Sequence, residues 1–277
     1  MTESLSRRAL MAGCACLLPD GAFGAEAPWL ALEKQSGARI GAAAVDTGSG
    51  RRLVWRADER FVMCSTFKLS LAAATLARVE SDAEHLGEMV HYDKSVPFGV
   101  SPATIRNQAR GMTVGELCQA AVIYSDNGAA NLLLARLGGP AAMTQFWRKI
   151  GDPITRLDNN EPRLNVPDGA RNTTTPAAML HNLDALLLGR ALSPASRTRL
   201  LGWMRANTTG GAMLRAGLKA DWIIGDKTGR NPDFGLTNDI AIAVPPEHKP
   251  ILIAVYTEHG APEVVASAGK IIAAAFA

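Results

Sequence analysis

Apolar residues along this chain repeat with two different periods, and the change of period divides it into parts. Residues 29–36 have the spacing of a short amphipathic helix. Residues 39–46 and 52–56 are apolar runs of strand length, joined by Thr47-Gly48-Ser49-Gly50, which suits a hairpin turn. A helical period then takes over at 66–79, 113–125, 128–137 and 141–150, and again at 176–188 and 193–206. Strand-like runs return at 222–226, 237–244 and 251–257, and 262–275 closes as a helix. Strands at both ends with helices between predict an α+β fold. Its antiparallel sheet is built from both termini, and an all-helical lobe is inserted. The expected division is an α/β lobe of 25–61 and 207–277 around a helical lobe of 62–206, forming one unit, because no linker separates them. A ligand cleft is expected where the lobes meet.

Two stretches break the pattern. Residues 151–175 have little periodicity, carry Pro153, Pro162 and Pro167, and are far longer than an ordinary connection, which predicts a functional loop. At the start, Arg7-Arg8 precede an apolar run over 9–18 and then small residues at Ala22, Gly24 and Ala25. That order is the signature of an export signal, expected to span 1–24. The pair also resembles a twin-arginine signal, and Met11-Ala12-Gly13-Cys14 offers a rival reading as a lipidation site at Cys14. No later run approaches membrane-spanning length. The mature chain is expected to be periplasmic or secreted, without a membrane span.

Composition narrows the function classes. With 47% hydrophobic and 20% charged residues the chain is not disordered. The net charge is +3 and no run of Lys or Arg exceeds a pair, so no nucleic-acid partner is expected. Of the 4 cysteines, Cys14 and Cys16 leave with the signal, and Cys64 and Cys118 are expected to remain unlinked. The 5 histidines, His85, His91, His181, His248 and His259, form no metal-ligand spacing, so neither a metal nor a histidine base is expected.

One element carries candidate chemistry by itself. Ser65-Thr66-Phe67-Lys68 begins the first long helix, which places serine and lysine on one face beside the N-terminal amides. A desolvated lysine can take a serine proton, and the amides can stabilise an oxyanion. Ser-x-x-Lys alone is weak, since about one such match arises by chance in a chain of this length. Ser125-Asp126-Asn127 lies at a break between helices, and Lys227-Thr228-Gly229 ends a strand. Their bland readings are a helix cap and a strand end.

The three in this order resemble the signature of penicillin-binding proteins and class A β-lactamases. Glu161-Pro162-Arg163-Leu164-Asn165, inside the long loop, looks like the Glu-x-x-Leu-Asn motif that marks the class A β-lactamases. The resemblance covers nearly the whole mature chain. It implies that Ser65 attacks a β-lactam carbonyl, with the amides of Ser65 and Arg230 as oxyanion hole. Lys68 and Glu161 manage the proton, and Ser125 passes one to the leaving nitrogen. Lys227 and Thr228 attract the substrate carboxylate, Gly229 lets the strand approach closely, and Asn127 holds the acylamino carbonyl. Glu161 and Asn165 activate the water that hydrolyses the ester. A small-molecule β-lactam, no cofactor and a monomer are implied. A DD-peptidase would lack the Glu161 loop, and a β-lactam sensor would need a membrane-spanning segment.

The sequence also departs from the family pattern. An ion pair that closes the long loop in many relatives is replaced by Asn159 and Asn172, two amides that can still hydrogen-bond each other. No arginine occupies the usual carboxylate-binding places, so Arg230 is expected to supply that contact. Cys64 and Cys118 each face a lost disulfide partner, at Asn231 and Ala72.

Overall fold

The computed structural model describes residues 26–96 and 98–276, so the export segment read in 1–24 lies outside the described residues. The chain enters through α1 (Glu26–Ser36) and folds back as the hairpin β1 (Arg39–Asp46) and β2 (Arg52–Trp55). Strand β3 (Phe61–Val62) leads to a 3-10 turn, Cys64–Thr66, that runs directly into α2 (Phe67–Glu80). Next come β4 (Met89–Val90), α3 (Pro102–Asn107), β5 (Met112–Thr113), α4 (Val114–Ile123), α5 (Asn127–Leu137) and α6 (Gly139–Lys149). Beyond the long loop are β6 (Thr173–Thr174), α7 (Pro176–Leu187), α8 (Pro194–Arg205) and the one-turn α9 (Leu214–Gly217). Strands β7 (Ile223–Asn231), β8 (Leu236–Val244) and β9 (Ile251–Glu258) and helix α10 (Pro262–Ala275) complete the chain.

The main sheet is antiparallel with strand order β2-β1-β9-β8-β7. Its central pairing, β1 with β9, joins the two ends of the described chain, with Arg39 opposite Glu258. The expected α+β architecture, with helices inserted between the two halves of the sheet, is therefore the one found. Alternation explains why β8 and β9 read as continuous apolar runs. Ile240, Ile242, Leu252, Ala254 and Tyr256 belong to the core shared with the helical lobe. Ala241, Ala243, Ile251, Ile253 and Val255 join the second core, with Trp29, Val265 and Ile272 of α1 and α10. Both faces are covered, so the usual apolar–polar alternation of a half-exposed sheet is absent.

Local chemistry fixes the helix starts. Thr113 accepts the Glu116 amide while the Glu116 carboxylate accepts the Thr113 amide, so α4 opens with a reciprocal cap. Thr175 and Ser193 cap α7 and α8 in the same sense, each followed by proline in the first turn. Three features differ from the sequence expectation. Strand β7 runs on to Asn231 instead of ending near Gly229, because the buried polar residues Asp226, Lys227 and Thr228 hide its apolar signal. The two-residue pairings β3–β6 and β4–β5, and the short α3, are too brief to show a period.

Cys64 and Cys118 are free and buried. Burial pushes the Cys118 thiol up to about 12 and the Cys64 thiol higher, so both are unreactive in the folded protein. No helix among the described residues is long and apolar enough to cross a membrane.

Candidate active site

The cleft forms where the start of α2, the α4–α5 turn, the long loop and strand β7 converge. Ser65 sits in the 3-10 turn and Lys68 one turn later on α2, both buried. The preceding Cys64 has φ +46°, an unfavourable conformation for a non-glycine residue that turns the chain sharply into the helix. Asn238 of β8 holds this entry, its Nδ2 donating to the carbonyls of Val62 at 2.9 Å and Met63 at 3.2 Å. Gly229 is required here. A Cβ at that position would lie 2.6 Å from Met63 O and 3.0 Å from Ser65 N, so any side chain would push β7 away from Ser65.

Ser125 lies between α4 and α5 with φ +57°, and Asp126 braces the turn. Its carboxylate accepts the amides of Ala103, Thr104 and Ala129 and the Thr104 hydroxyl, all within 3.0 Å. This places the Ser125 carbonyl and Asn127 Oδ1 against Lys68 Nζ, at 2.8 and 2.6 Å. Lysine only donates, so Asn127 must turn its oxygen to Lys68 and leave its amide N–H free. Glu161 Oε1 is 2.9 Å from Lys68 Nζ and 3.2 Å from Ser65 Oγ. Lys68 thus faces three acceptors, one for each N–H of an ammonium, while the Ser65 hydroxyl points to Glu161.

Glu161 is held on all sides. Asn131 Oδ1 accepts the Glu161 amide and Asn131 Nδ2 donates to its carbonyl, both at 3.0 Å. Asn165 Nδ2 donates to Glu161 Oε2 at 2.5 Å, and Asn165 Oδ1 is buried without a partner among the described residues. The neck of the loop is closed as the two amides suggested, with Asn172 Nδ2 donating to Asn159 Oδ1 at 3.0 Å. Asn172 Oδ1 also accepts the amides of Asp158 and Asn159, at 2.8 and 3.0 Å. The ion pair has given way to a network around one buried amide.

Lys227 is fully buried on β7, its Nζ donating to Ser125 Oγ at 2.9 Å and to Thr228 O at 2.8 Å. Burial, reinforced by the nearby Lys68 charge, pushes the Lys227 ammonium down to about 7. Beneath it Asp226 accepts Arg215 Nε at 2.6 Å and Asn207 Nδ2 at 2.7 Å. Gly210 is needed at this point, because a Cβ there would lie 1.8 Å from Asp226 Oδ2. Arg230 is exposed and lines a groove with Pro162, Asn165, Asn231 and Pro232. Its side chain makes no hydrogen bond or ion pair among the described residues, and by strand alternation it shares a face with Thr228.

The other site residues expected from the sequence meet at this one place, and Arg230, directly after Gly229 on β7, borders it through the groove it shares with Asn165. Sequence reasoning missed Asn131, Thr209, Asn231 and Asn238. Asn131 lies one turn after Asn127 on α5, a spacing that puts it on the same helix face and is the one signal that pointed to it. Asn231, whose Nδ2 donates to Asn165 O at 2.9 Å, gave no sequence signal. Among the described residues no group of three or more His, Cys, Asp or Glu is placed to hold a metal ion.

Fold and cluster together define the class, a hydrolase of the penicillin-binding protein and β-lactamase superfamily. The family model described as beta-lactamase enzyme family matches residues 28–276. Beta-lactamase CTX-M-97 of Escherichia coli is 42% identical, with 100% of both chains covered. Carbapenem-hydrolyzing beta-lactamase KPC of Klebsiella oxytoca is 45% identical over 92% of this chain and 89% of its own. The last common ancestor of Gram-negative bacteria beta-lactamase class A (GNCA4) superposes with a TM-score of 0.87 at 53% identity, covering 90% of this chain and 97% of the other. The chain belongs to the class A β-lactamases.

Proposed function

We propose that the enzyme opens the β-lactam ring of penicillins and cephalosporins by forming an ester on Ser65 and hydrolysing it with water activated by Glu161. The observation that carries this reading is Glu161 Oε1, placed 3.2 Å from the Ser65 hydroxyl and 2.9 Å from Lys68 Nζ in a fully buried cluster. Glu161 accepts the Ser65 proton as the oxygen attacks, and Lys68 holds the carboxylate in place with three donors that are all engaged. The amides of Ser65 and Arg230 receive the developing oxyanion. Ser125 Oγ accepts from Lys227, so its own proton is free to go to the departing ring nitrogen. Asn127 turns its N–H groups to the acylamino carbonyl.

Deacylation uses the other side of the same carboxylate. Asn165 Oδ1 has no protein donor, so it can accept from a water that Glu161 deprotonates, which fixes the direction of attack on the ester. The expected route is export to the periplasm. The test is peptide mapping after rapid mixing with benzylpenicillin. A transient adduct on the Ser65 peptide, absent in Ser65→Ala, is the expected result, and turnover by Ser65→Ala would overturn the assignment.

Arg230 is assigned to the substrate carboxylate. A guanidinium free of protein partners, on the same strand face as Thr228, offers two parallel donors. One charge-assisted bond of about 1.5–3 kcal/mol corresponds to roughly ten- to more than hundredfold in kcat/KM. Arg230→Ala should lower kcat/KM for penicillins by that order, with Arg230→Lys recovering part. An alanine variant with wild-type kcat/KM would make Arg230 a solvated edge charge.

A further inference from the structure

The Thr228 hydroxyl points at a second hydroxyl. Thr209, on the segment between α8 and α9, brings its Oγ1 to 2.5 Å from Thr228 Oγ1. Either oxygen could donate in that contact, but the neighbouring bonds decide which does. Thr209 Oγ1 also lies 2.8 Å from Asn207 Oδ1, and the Thr209 backbone N–H donates to the same oxygen at 3.1 Å. A backbone N–H cannot accept, so the Asn207 atom facing Thr209 is its carbonyl oxygen. Asn207 Nδ2 then faces Asp226 Oδ2, at 2.7 Å, which agrees. An amide oxygen only accepts. The Thr209 hydroxyl donates to Asn207 at 2.8 Å, and in that arrangement Thr209 accepts the proton of Thr228.

In the resting enzyme the chain runs Thr228 to Thr209 to Asn207. The Thr228 proton points away from the cleft, in the wrong direction to bind an anion. We propose that Thr209 is a positioning residue, and that a substrate carboxylate is bound by reversal of this two-hydroxyl chain. Reversal swings the Thr209 proton onto Thr228 Oγ1 and the Thr228 proton onto the carboxylate. Asn207 Oδ1 keeps the Thr209 backbone N–H in both states, so reversal leaves no buried acceptor without a donor. In the reversed state Thr228 accepts one hydrogen bond while giving another, and each polarises the other. No bond to carbon or nitrogen changes and no proton leaves the pair. The arrangement answers only to an acceptor, so the ligand it selects is a carboxylate or another anion beside Lys227.

This inference rests on the β-lactamase reading above, and its test separates the two. Wild type, Thr209→Val and Thr209→Ser are each assayed on benzylpenicillin and on its methyl ester, which lacks the anion. The quantity measured is the ratio of kcat/KM for acid over ester. Valine matches threonine in shape but leaves Thr228 no acceptor behind it, so the Thr228 proton is free for the carboxylate and no Thr209–Asn207 bond has to break. The ratio should rise by about five- to tenfold, the worth of one hydrogen bond. Serine restores the hydroxyl and should return the ratio to within about twofold of wild type. A Thr209→Val ratio that holds or falls, whatever the absolute activity, would overturn the proposal, because a residue that only supports the fold affects acid and ester alike. Failure of serine to restore the ratio would overturn it too. Absence of acid turnover by the wild type would instead sink the functional reading itself.

Discussion

Replacing Glu161 with alanine is expected to give an enzyme that is acylated and stays acylated. In the wild type the two tasks proposed for Glu161 fall on different oxygens. Oε1 faces Ser65 and Lys68, and Oε2 faces Asn165. Removing the carboxylate takes away the counter-ion of the Lys68 ammonium, which can then release a proton to solvent and, as the neutral amine, take the Ser65 proton, so acylation slows without stopping. Deacylation has no such substitute. The water keeps the Asn165 oxygen as an acceptor, but nothing beside it can take a proton. A positioned general base is worth about 10²–10⁴ in rate, and the loss falls on the second step. Intact-protein mass spectrometry after mixing with benzylpenicillin should show Glu161→Ala accumulating as the adduct. Rapid turnover with no adduct would remove Glu161 from the deacylation step.

Lys227→Met is expected to cost roughly 10²–10³ in kcat/KM, the scale of removing one preorganised electrostatic donor from a water-poor site. The methylene stem keeps its place in the core, so the loss reports the ammonium. That ammonium donates to Ser125 Oγ and supplies positive charge at the place proposed for the substrate carboxylate. Its pH dependence has a definite sign. Burial and Lys68 lower the Lys227 value to about 7, so the free enzyme carries the charge below that pH and loses it above. The kcat/KM profile, which reports the free enzyme, should fall on its alkaline side with a midpoint near 7. A bound carboxylate favours the charged form, so the corresponding limb in kcat should lie at higher pH. In Lys227→Met the alkaline limb of kcat/KM should disappear. Persistence of the limb at the same pH would assign it to another group.

Most of the fold is legible in the sequence because its long elements are strongly periodic. Helix α7 buries one broad face and announces it every three to four residues, whereas α2 is buried all round from Phe67 to Leu76 and reads as a nearly continuous apolar run. Strands β8 and β9 are covered on both sides and read as unbroken apolar runs. Strand β7 is the exception, because function has placed Asp226, Lys227 and Thr228 where apolar residues would mark a strand. The proposed catalytic residues are legible for a different reason. Ser65 with Lys68, and Ser125 with Asn127, keep fixed short spacings because one helix turn or one tight turn must hold both members. The supporting amides show no such spacing. Asn131 reaches Glu161 across the cleft, Asn238 reaches Val62 from another strand, and Asn231 reaches Asn165 from the end of β7. Each contact joins segments that are distant in sequence, and a single asparagine in a chain carries no mark of its partner. The hydroxyl pair of Thr209 and Thr228 escaped notice in the same way.

The central claim is that this site completes the catalytic cycle instead of stopping at the ester. Counting turnovers of nitrocefin by the purified protein tests it most directly. The account predicts sustained hydrolysis, with many product molecules formed per enzyme and the enzyme recovered at its unmodified mass. A single burst equal to the enzyme concentration, leaving the protein acylated, would contradict it, because Glu161 and Asn165 would then fail to deliver water to the ester.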